Sequence, residues 1–575
     1  MHEGEVKMKD FKVAIAELLG KQISSLSQDE ICNMIEVPTN TEMGDYAFPC
    51  FKLAKELRKA PPMIAKDIVE ALPEVDFIER AENVNAYINL FVNKVTLVKR
   101  AVEEVLAQGE KFGLDDSKSQ GNIVIDYSSP NIAKPFHVGH LRSTVIGNSL
   151  YRIYEALGYN CVGVNHLGDW GTQFGKLIVA YQKYSSKEAI EEKGISELLR
   201  IYVLFHDEAK EQPELEQQAR DYFTKMEQGD EEALKLWTWF KEISMKEFER
   251  VYAMLGVSFD SYNGEAFYND KMAAVIAELE NKGLIEISEG AKIVRLDEEN
   301  MAPCLITKKD GSSLYATRDI TAAEYRKKTY DFKKCIYVTA LQQNLHFAQW
   351  FKVIEKMDYD WAKDLVHVPF GMVSMENGAL STRKGNVLLL EDILKEAIDK
   401  TRTVIEEKNA NLENKEEVAK QVGIGAVIFD DMANNIIKDI QFSWEKVLNF
   451  DGETGPYVQY THARACSVLR KATYQQEMLD NVDYTLLTDE ASINVAKEIA
   501  EFKAVIEEAA VKYEPSYIAR YAVDLAQAFN KFYYDNQILV EDEKVKVARL
   551  AVVVAVKHTL KNALYLLGIE APEQM

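Results

Sequence analysis

A chain of 575 residues exceeds the ~250–300 at which one hydrophobic core stops growing, so two or three domains are expected. Its formal charge is −24, from 68 Lys and Arg against 92 Asp and Glu, which excludes a general basic coat for nucleic acid and leaves only a local basic path open. Apolar residues at 47% describe a folded protein, no apolar run approaches the ~20 residues of a membrane span, and six scattered cysteines without a C-x-x-C pair offer no zinc-ligand spacing and fit reduced thiols in a cytoplasm.

The first residues, "MHEGEVKMKDFKVAIAELLG", read as a charged amphipathic helix rather than a basic-then-apolar leader. Alternating segments such as "NAYINLFVN" follow and end at the polar "GLDDSKSQGN", which predicts a small α+β domain over 1–115. From Asn122 the pattern turns to strand, turn, helix: "NIVIDYSS", then Leu141, Val145, Ile146, Leu150, Ile153 and Leu157 at helical spacing, then "CVGVNHLGD". This βαβ opening, the charge-rich helical insertion at about 185–300 and the returning strands "KCIYVTAL" and "LVHVPFGMV" predict an α/β domain with a split, Rossmann-type parallel sheet over 120–445. From 446 to 575 the spacing is helical nearly throughout and predicts a separate all-α bundle.

Within "SSPNIAKPFHVGHLRS" two histidines flank a glycine where the strand gives way to the helix. A helix N-terminus offers unpaired amide donors to phosphate, and His137 and His140 can add two imidazole donors. Gly139 lets a flat ligand such as adenine approach the backbone, and Pro130, Pro135 and Lys134 place the turn at the carboxyl end of a strand, where open α/β sheets bind ligands. The plainer alternative has one histidine capping the helix and the other packing in the core.

The stretch "DYSSPNIAKPFHVGHLRST" resembles the HIGH signature of class I aminoacyl-tRNA synthetases, the arginyl family in particular. "NHLGDWGTQFG" (165–175), "LYATRDI" (314–320), "FGMVSMENGALSTRKGNV" (370–387), "DGETGPYVQYTHAR" (451–464) and the ending "LLGIEAPEQM" resemble that family in the same order, over nearly the whole chain. The resemblance implies an N-terminal domain at the tRNA elbow, a catalytic domain, and a C-terminal anticodon-binding domain. It implies that L-arginine is activated with ATP, carried with Mg2+ as a substrate complex, and passed to tRNA(Arg), with no tightly bound metal or organic cofactor. A monomer is expected, and activation that needs tRNA. His137 and His140 would stabilise the α-phosphate. The second signature, KMSKS, is altered: Ala379 and Thr382 stand where two lysines would be, which makes Lys134 and Lys384 the candidates for the missing charge.

A guanidinium has five donors in a rigid fork, so its pocket should present carboxylates and amide oxygens. By resemblance Asp126, Ser129, Asn131, His137, Tyr315, Asp319 and Gln343 contact arginine; Tyr315 and Asp319, four apart, share a helix face. His137, Gly139, His140, His346, the backbone at Met372 and Val373, and Ser381 belong to the ATP site, with His346 also near arginine. In the bundle, "KFYYDNQ" offers Tyr533 for stacking and Gln537 for reading base edges, and Met575 lies near the anticodon by resemblance; aromatics at this spacing also suit a core. Tyr457 and Arg464 share a face with Tyr460 and touch RNA or lock the bundle to the catalytic domain. Tyr87, Asn89 and Phe91 alternate onto one strand face, a platform for the tRNA elbow or part of a core. Two other functions stay open here: a nucleotidylyltransferase acting on a small molecule, which would not need the bundle, and a non-catalytic RNA-binding relative, against which the intact His137, His140, Lys134 and Asp319 speak.

Overall fold

The computed structural model describes residues 11–38, 40–309, 314–375 and 389–575. An N-terminal unit carries a three-stranded antiparallel sheet of β1 (Tyr46–Pro49), β2 (Ile78–Val84) and β3 (Tyr87–Val92), with β3 in the middle. The helix Lys94–Gln108 leads out of it and packs along the C-terminal bundle.

The second unit opens with β4 (Asn122–Asp126), the helix Leu141–Ala156 and β5 (Asn160–Val164). An insertion follows, built of helices that include Glu231–Leu255 and of a small antiparallel sheet, β6 (Glu286–Ser288), β7 (Ala291–Val294) and β8 (Cys304–Thr307). The sequence pattern predicted only helix there. The helix Tyr315–Tyr330 then returns the chain to β9 (Phe332–Ala340) and β10 (Leu365–Phe370). The four long strands form a parallel sheet in the order β10-β9-β4-β5.

After β4 the chain adds β5 on one side, and β9 later joins β4 on the other, so the strand order reverses between β4 and β9. Loops leaving these two strands diverge and open a crevice at the carboxyl edge, the place where such sheets take ligands. A short parallel pair, β11 (Val373–Met375) with β12 (Ile440–Phe442), borders it.

The 141–156 helix is buried on nearly every side because the sheet lies on one flank and the bundle helices Glu490–Lys512 and Glu543–Leu566 on the other. Gly147 is required on it: a Cβ there would stand 2.2 Å from Tyr127, so only glycine lets the helix lie against the end of β4. The bundle adds the helices Gly455–Lys471 and Ser516–Asp535. Its last residues, through Met575, fold back against the 455–471 helix and against the helices Leu390–Lys408 and Lys415–Met432.

Candidate active site

The turn after β4 is strained. Ser128, Ser129 and Ala133 all take left-handed backbone angles without being glycine, a cost of about 1–3 kcal/mol each that persists only where the surroundings over-determine it. Here they do: the Ser143 hydroxyl accepts the Ser128 amide at 2.9 Å and donates to the Val338 carbonyl at 2.7 Å, tying turn, helix and β9 together. The Ser244 hydroxyl of the insertion accepts the Ala133 amide at 2.8 Å.

Beyond the turn, His137 caps the short 3-10 turn Val138–His140 that runs into the 141–156 helix. Its Nδ1 accepts the Gly139 amide at 3.1 Å, while the Nδ1 of His140 accepts the His137 amide at 3.2 Å. The rings lie 4.0 Å apart, and Phe136 stacks on His140. A Cβ on Gly139 would meet the His137 ring at 2.8 Å, so the glycine keeps that ring in place. The capping and packing reading of the motif holds: the histidines cap and pack through Nδ1, and the network assigns the proton of each neutral ring to Nε2, which no described residue engages.

Burial lowers the pKa of His137, helped by Lys134, and burial first, then His137 and Lys134, push His140 down to about 3. Near pH 7 both are neutral donors. Lys134 adds a formal positive charge beside them; it is exposed and forms no ion pair with a described residue. Lys384 and Ser381 lie outside the described residues.

The candidate acidic group is held by a histidine of its own. Asp319, on the 315–330 helix, accepts from His346 Nε2 at 2.5 Å, so His346 holds the very carboxylate expected to meet a guanidinium. Tyr315, one turn earlier, is 66% exposed, and Gln343 and Asn131 are also exposed toward solvent.

Asp126 departs from expectation. It forms a buried ion pair with Arg326 at 2.7 Å and accepts the Ser129 hydroxyl at 2.8 Å, so its carboxylate is already matched by a cation of the chain itself. A buried carboxylate at a strand end needs such a partner, and no local sequence signal pointed to Arg326. Glu265 was likewise missed: burial pushes its carboxyl up to about 7 against the pull of Arg318, whose Nη1 lies 3.6 Å away.

At β11 and the residue leading into it the two backbone candidates separate. Met372 donates its amide to Asp439 Oδ1 at 2.7 Å, and its carbonyl accepts the Ile440 amide at 2.8 Å. Peptide edges alternate along a strand, so Val373 turns its own amide and carbonyl the other way and is the residue able to meet a base. Met372 is not.

The RNA candidates divide as well. Among the residues lining the bundle cleft of about 690 Å3, Arg464, Arg470 and Lys471 are cationic and no Asp or Glu side chain appears, in a chain whose net charge is −24. Tyr533, Tyr534, Gln537 and Met575 line the same cleft, with Tyr534 88% exposed. Among the described residues the hydrogen bonds and cation–π contacts of Tyr457 and Arg464 stay within the bundle. Both hold Asn530 of the 516–535 helix, Tyr457 accepting its amide at 2.9 Å and Arg464 donating to its carbonyl oxygen, while the Arg464 guanidinium lies over the rings of Tyr460 and Tyr533. In the N-terminal sheet Asn89 is 2% exposed, Phe91 is covered by the Arg80 guanidinium 3.5 Å above its ring, and Tyr87 is half-buried. A middle strand covered on both faces is no open platform; the exposed ring nearby is Phe51, edge-on to Tyr87.

A strand-order crevice with a capped histidine pair at the start of its first helix, joined to a helical bundle, defines a class I aminoacyl-tRNA synthetase. Family models agree: "tRNA synthetases class I (R), catalytic domain" matches residues 101–444, "DALR anticodon binding domain" 458–575, and "Arginyl tRNA synthetase N terminal domain" 9–92. The chain is 58% identical over 568 residues to the arginine-tRNA ligase of Alkaliphilus metalliredigens and 57% identical to that of Clostridioides difficile, covering 99% of this chain and 100% of each relative. The crystal structure of arginyl-tRNA synthetase from Plasmodium falciparum superposes with a TM-score of 0.81 at 26% identity, over 99% of this chain and 100% of that one. The chain belongs to the arginyl-tRNA synthetase family.

Proposed function

We propose that this protein joins L-arginine to tRNA(Arg) in two steps, acting as a cytoplasmic monomer. In the first, an arginine carboxylate oxygen attacks the α-phosphorus of ATP, a new P–O bond forms, and the bond to the bridging oxygen breaks to release pyrophosphate. In the second, a ribose hydroxyl at the 3′ end of the tRNA attacks the acyl carbon and AMP leaves. ATP enters with Mg2+ on its phosphates.

The observation that carries this reading is the signature turn, where two backbone amides hold both imidazoles by Nδ1 and leave two Nε2–H donors for oxygens of the α-phosphate as charge builds there. Lys134 supplies charge that the neutral rings do not. Asp319 and Tyr315 receive the guanidinium, and His346 gives up its bond to Asp319 when arginine enters. Asp126, matched by Arg326, acts through Ser129, whose hydroxyl also accepts the His166 amide at 3.1 Å. The base edge of ATP rests on Val373, and the cationic, aromatic bundle cleft takes the anticodon.

Charging of total tRNA with each of the twenty amino acids in turn tests the reading. Arginine alone should be accepted, and ATP–pyrophosphate exchange should require added tRNA. Exchange that runs equally well without tRNA, or another amino acid charged as readily, would overturn it.

A further inference from the structure

Where the 141–156 helix, the β11–β12 pair and the bundle meet, the structure holds a buried charged knot that faces no reactant. Arg142, two residues after His140, is 1% exposed. Its Nε donates to Asp431 Oδ1 at 3.1 Å, and its Nη1 donates to the carbonyls of Gly371 at 2.9 Å and Lys438 at 2.8 Å. The Gly371 amide donates to the Ile436 carbonyl at 2.9 Å. The amide of Ile436 is held in turn from another domain: Glu514, buried at the corner between the 490–512 and 516–535 helices of the bundle, accepts it at 3.3 Å.

These bonds have one geometric consequence. Residues 371–373 form a short arm fixed by Arg142 on the signature helix and by segment 436–440 alongside, through Ile436, Asp439 and Ile440. Segment 436–440 takes part of its own position from the bundle through Glu514. A buried carboxylate is costly unless bonded, which makes a purely incidental Glu514 improbable on energetic grounds. It also bonds Ser516 at the start of its own helix, so a cap for that helix is the competing role. A cap alone has no reason to reach Ile436.

We propose that Glu514 is a positioning residue for the ATP site: by holding the Ile436 amide from the bundle side it sets the 371–373 arm on which the adenine edge rests. The RNA-binding bundle then contributes to nucleotide binding without touching the nucleotide. This rests on the assignment of adenine to Val373.

The test measures KM for ATP, KM for arginine and tRNA Kd on the full chain, by ATP–pyrophosphate exchange at saturating tRNA and by filter binding. Glu514→Ala should raise KM for ATP roughly 3- to 30-fold, the range of coupling carried by such networks, with arginine KM and tRNA Kd within about twofold. Glu514→Gln, which keeps an acceptor oxygen for Ile436, should recover most of the loss. If Glu514→Ala does not fold, Glu514→Asp, whose carboxylate is withdrawn by one methylene, takes its place with the same expected split. An unmoved KM for ATP, or both KM values rising together with a fall in Tm, would leave Glu514 as a helix cap and overturn the proposal. Asp439→Ala, on an exposed position, separates the two premises. If it releases the Met372 amide and leaves ATP binding untouched, the adenine assignment fails; if it raises KM for ATP while the Glu514 variants do not, the assignment stands and the role of Glu514 falls.

Discussion

In the catalytic crevice the two candidate histidines are held by backbone, and in the bundle cleft the candidate RNA-binding side chains are held by one another. His137 and His140 each take a main-chain amide on Nδ1. Tyr457, Arg464 and Asn530 tie side chain to side chain, with Tyr533 and Tyr534 left exposed beside them. The contrast is sharpest between His140 and His462, since burial takes both below the usual imidazole range, to about 3 and about 4. His462 lies with Nδ1 2.9 Å from the Pro572 carbonyl, which can only accept, so its proton sits on Nδ1 and holds the C-terminal tail. His140 has its proton on the other nitrogen, Nε2. The two rings differ in the backbone group that meets Nδ1, an amide for His140 and a carbonyl for His462, and that difference, not the pKa, fixes which nitrogen carries the proton.

Asp319 and Asp126 extend the contrast and give the largest expected effect. Asp319→Asn should cost about 2–5 kcal/mol, or roughly 30- to several thousand-fold in arginine kcat/KM, with citrulline, neutral and nearly isosteric, losing much less. Competition between the two ligands on wild type and variant checks it; a uniform loss for both would mean that Asp319 only holds the local fold. Asp126→Asn leaves Arg326 buried without its counter-charge, so its loss should appear chiefly in Tm rather than in the choice of ligand.

Next in size, His140→Ala and Lys134→Ala should each lower turnover by about 10²- to 10³-fold with little change in arginine KM, because they act on charge that develops at phosphorus. His462→Ala should leave turnover within about twofold and lower Tm instead. Equal losses of turnover at His140 and His462 would erase the distinction drawn between them. In the cleft, Tyr534→Ala should weaken tRNA binding by about 5- to 100-fold, the worth of one stacked base, while arginine KM stays unchanged at saturating tRNA. Filter binding reads this directly.

The smallest effect is one of pH. The folded pKa of His462 is about 4 and its unfolded value 6.5, so between these the unfolded chain binds a proton that the folded one does not. Stability from this residue is complete above pH 6.5 and falls as pH drops toward 4, by at most about 1.4 kcal/mol per pH unit. Calorimetric Tm measured from pH 7 to 4.5 should fall less steeply in His462→Gln than in wild type. The same histidine chemistry predicts no limb near pH 6.5 in turnover from His140, which stays neutral to about pH 3.

Much of the candidate site was legible because its residues are close together in the chain. The 126–140 turn, the Tyr315–Asp319 pair and the rings near 533 each lie within one local element, and local spacing reports them. The residues that escaped are long-range partners. Arg326 lies 200 residues from Asp126, Asn530 66 from Arg464, and Asp431 289 from Arg142, and nothing at either end of such a pair marks the other. The β3 platform failed for a related reason: alternation along a strand names two faces and does not say whether a guanidinium such as that of Arg80 covers one of them.

From its sequence alone this protein reads as a three-part chain with a candidate phosphate-binding turn at the end of a parallel strand, a candidate acidic partner for a cationic substrate, and an aromatic helix offered to RNA. Periodicity and motif spacing are local properties, and they survive without a fold. Only the tertiary structure decided that Asp126 is matched by Arg326, that Met372 spends its amide on Asp439 and its carbonyl on Ile440, that His346 holds Asp319, and that the bundle reaches segment 436–440 through Glu514. Each is a question of which charge or hydrogen-bonding group a buried partner satisfies, and burial brings together residues that the chain keeps far apart.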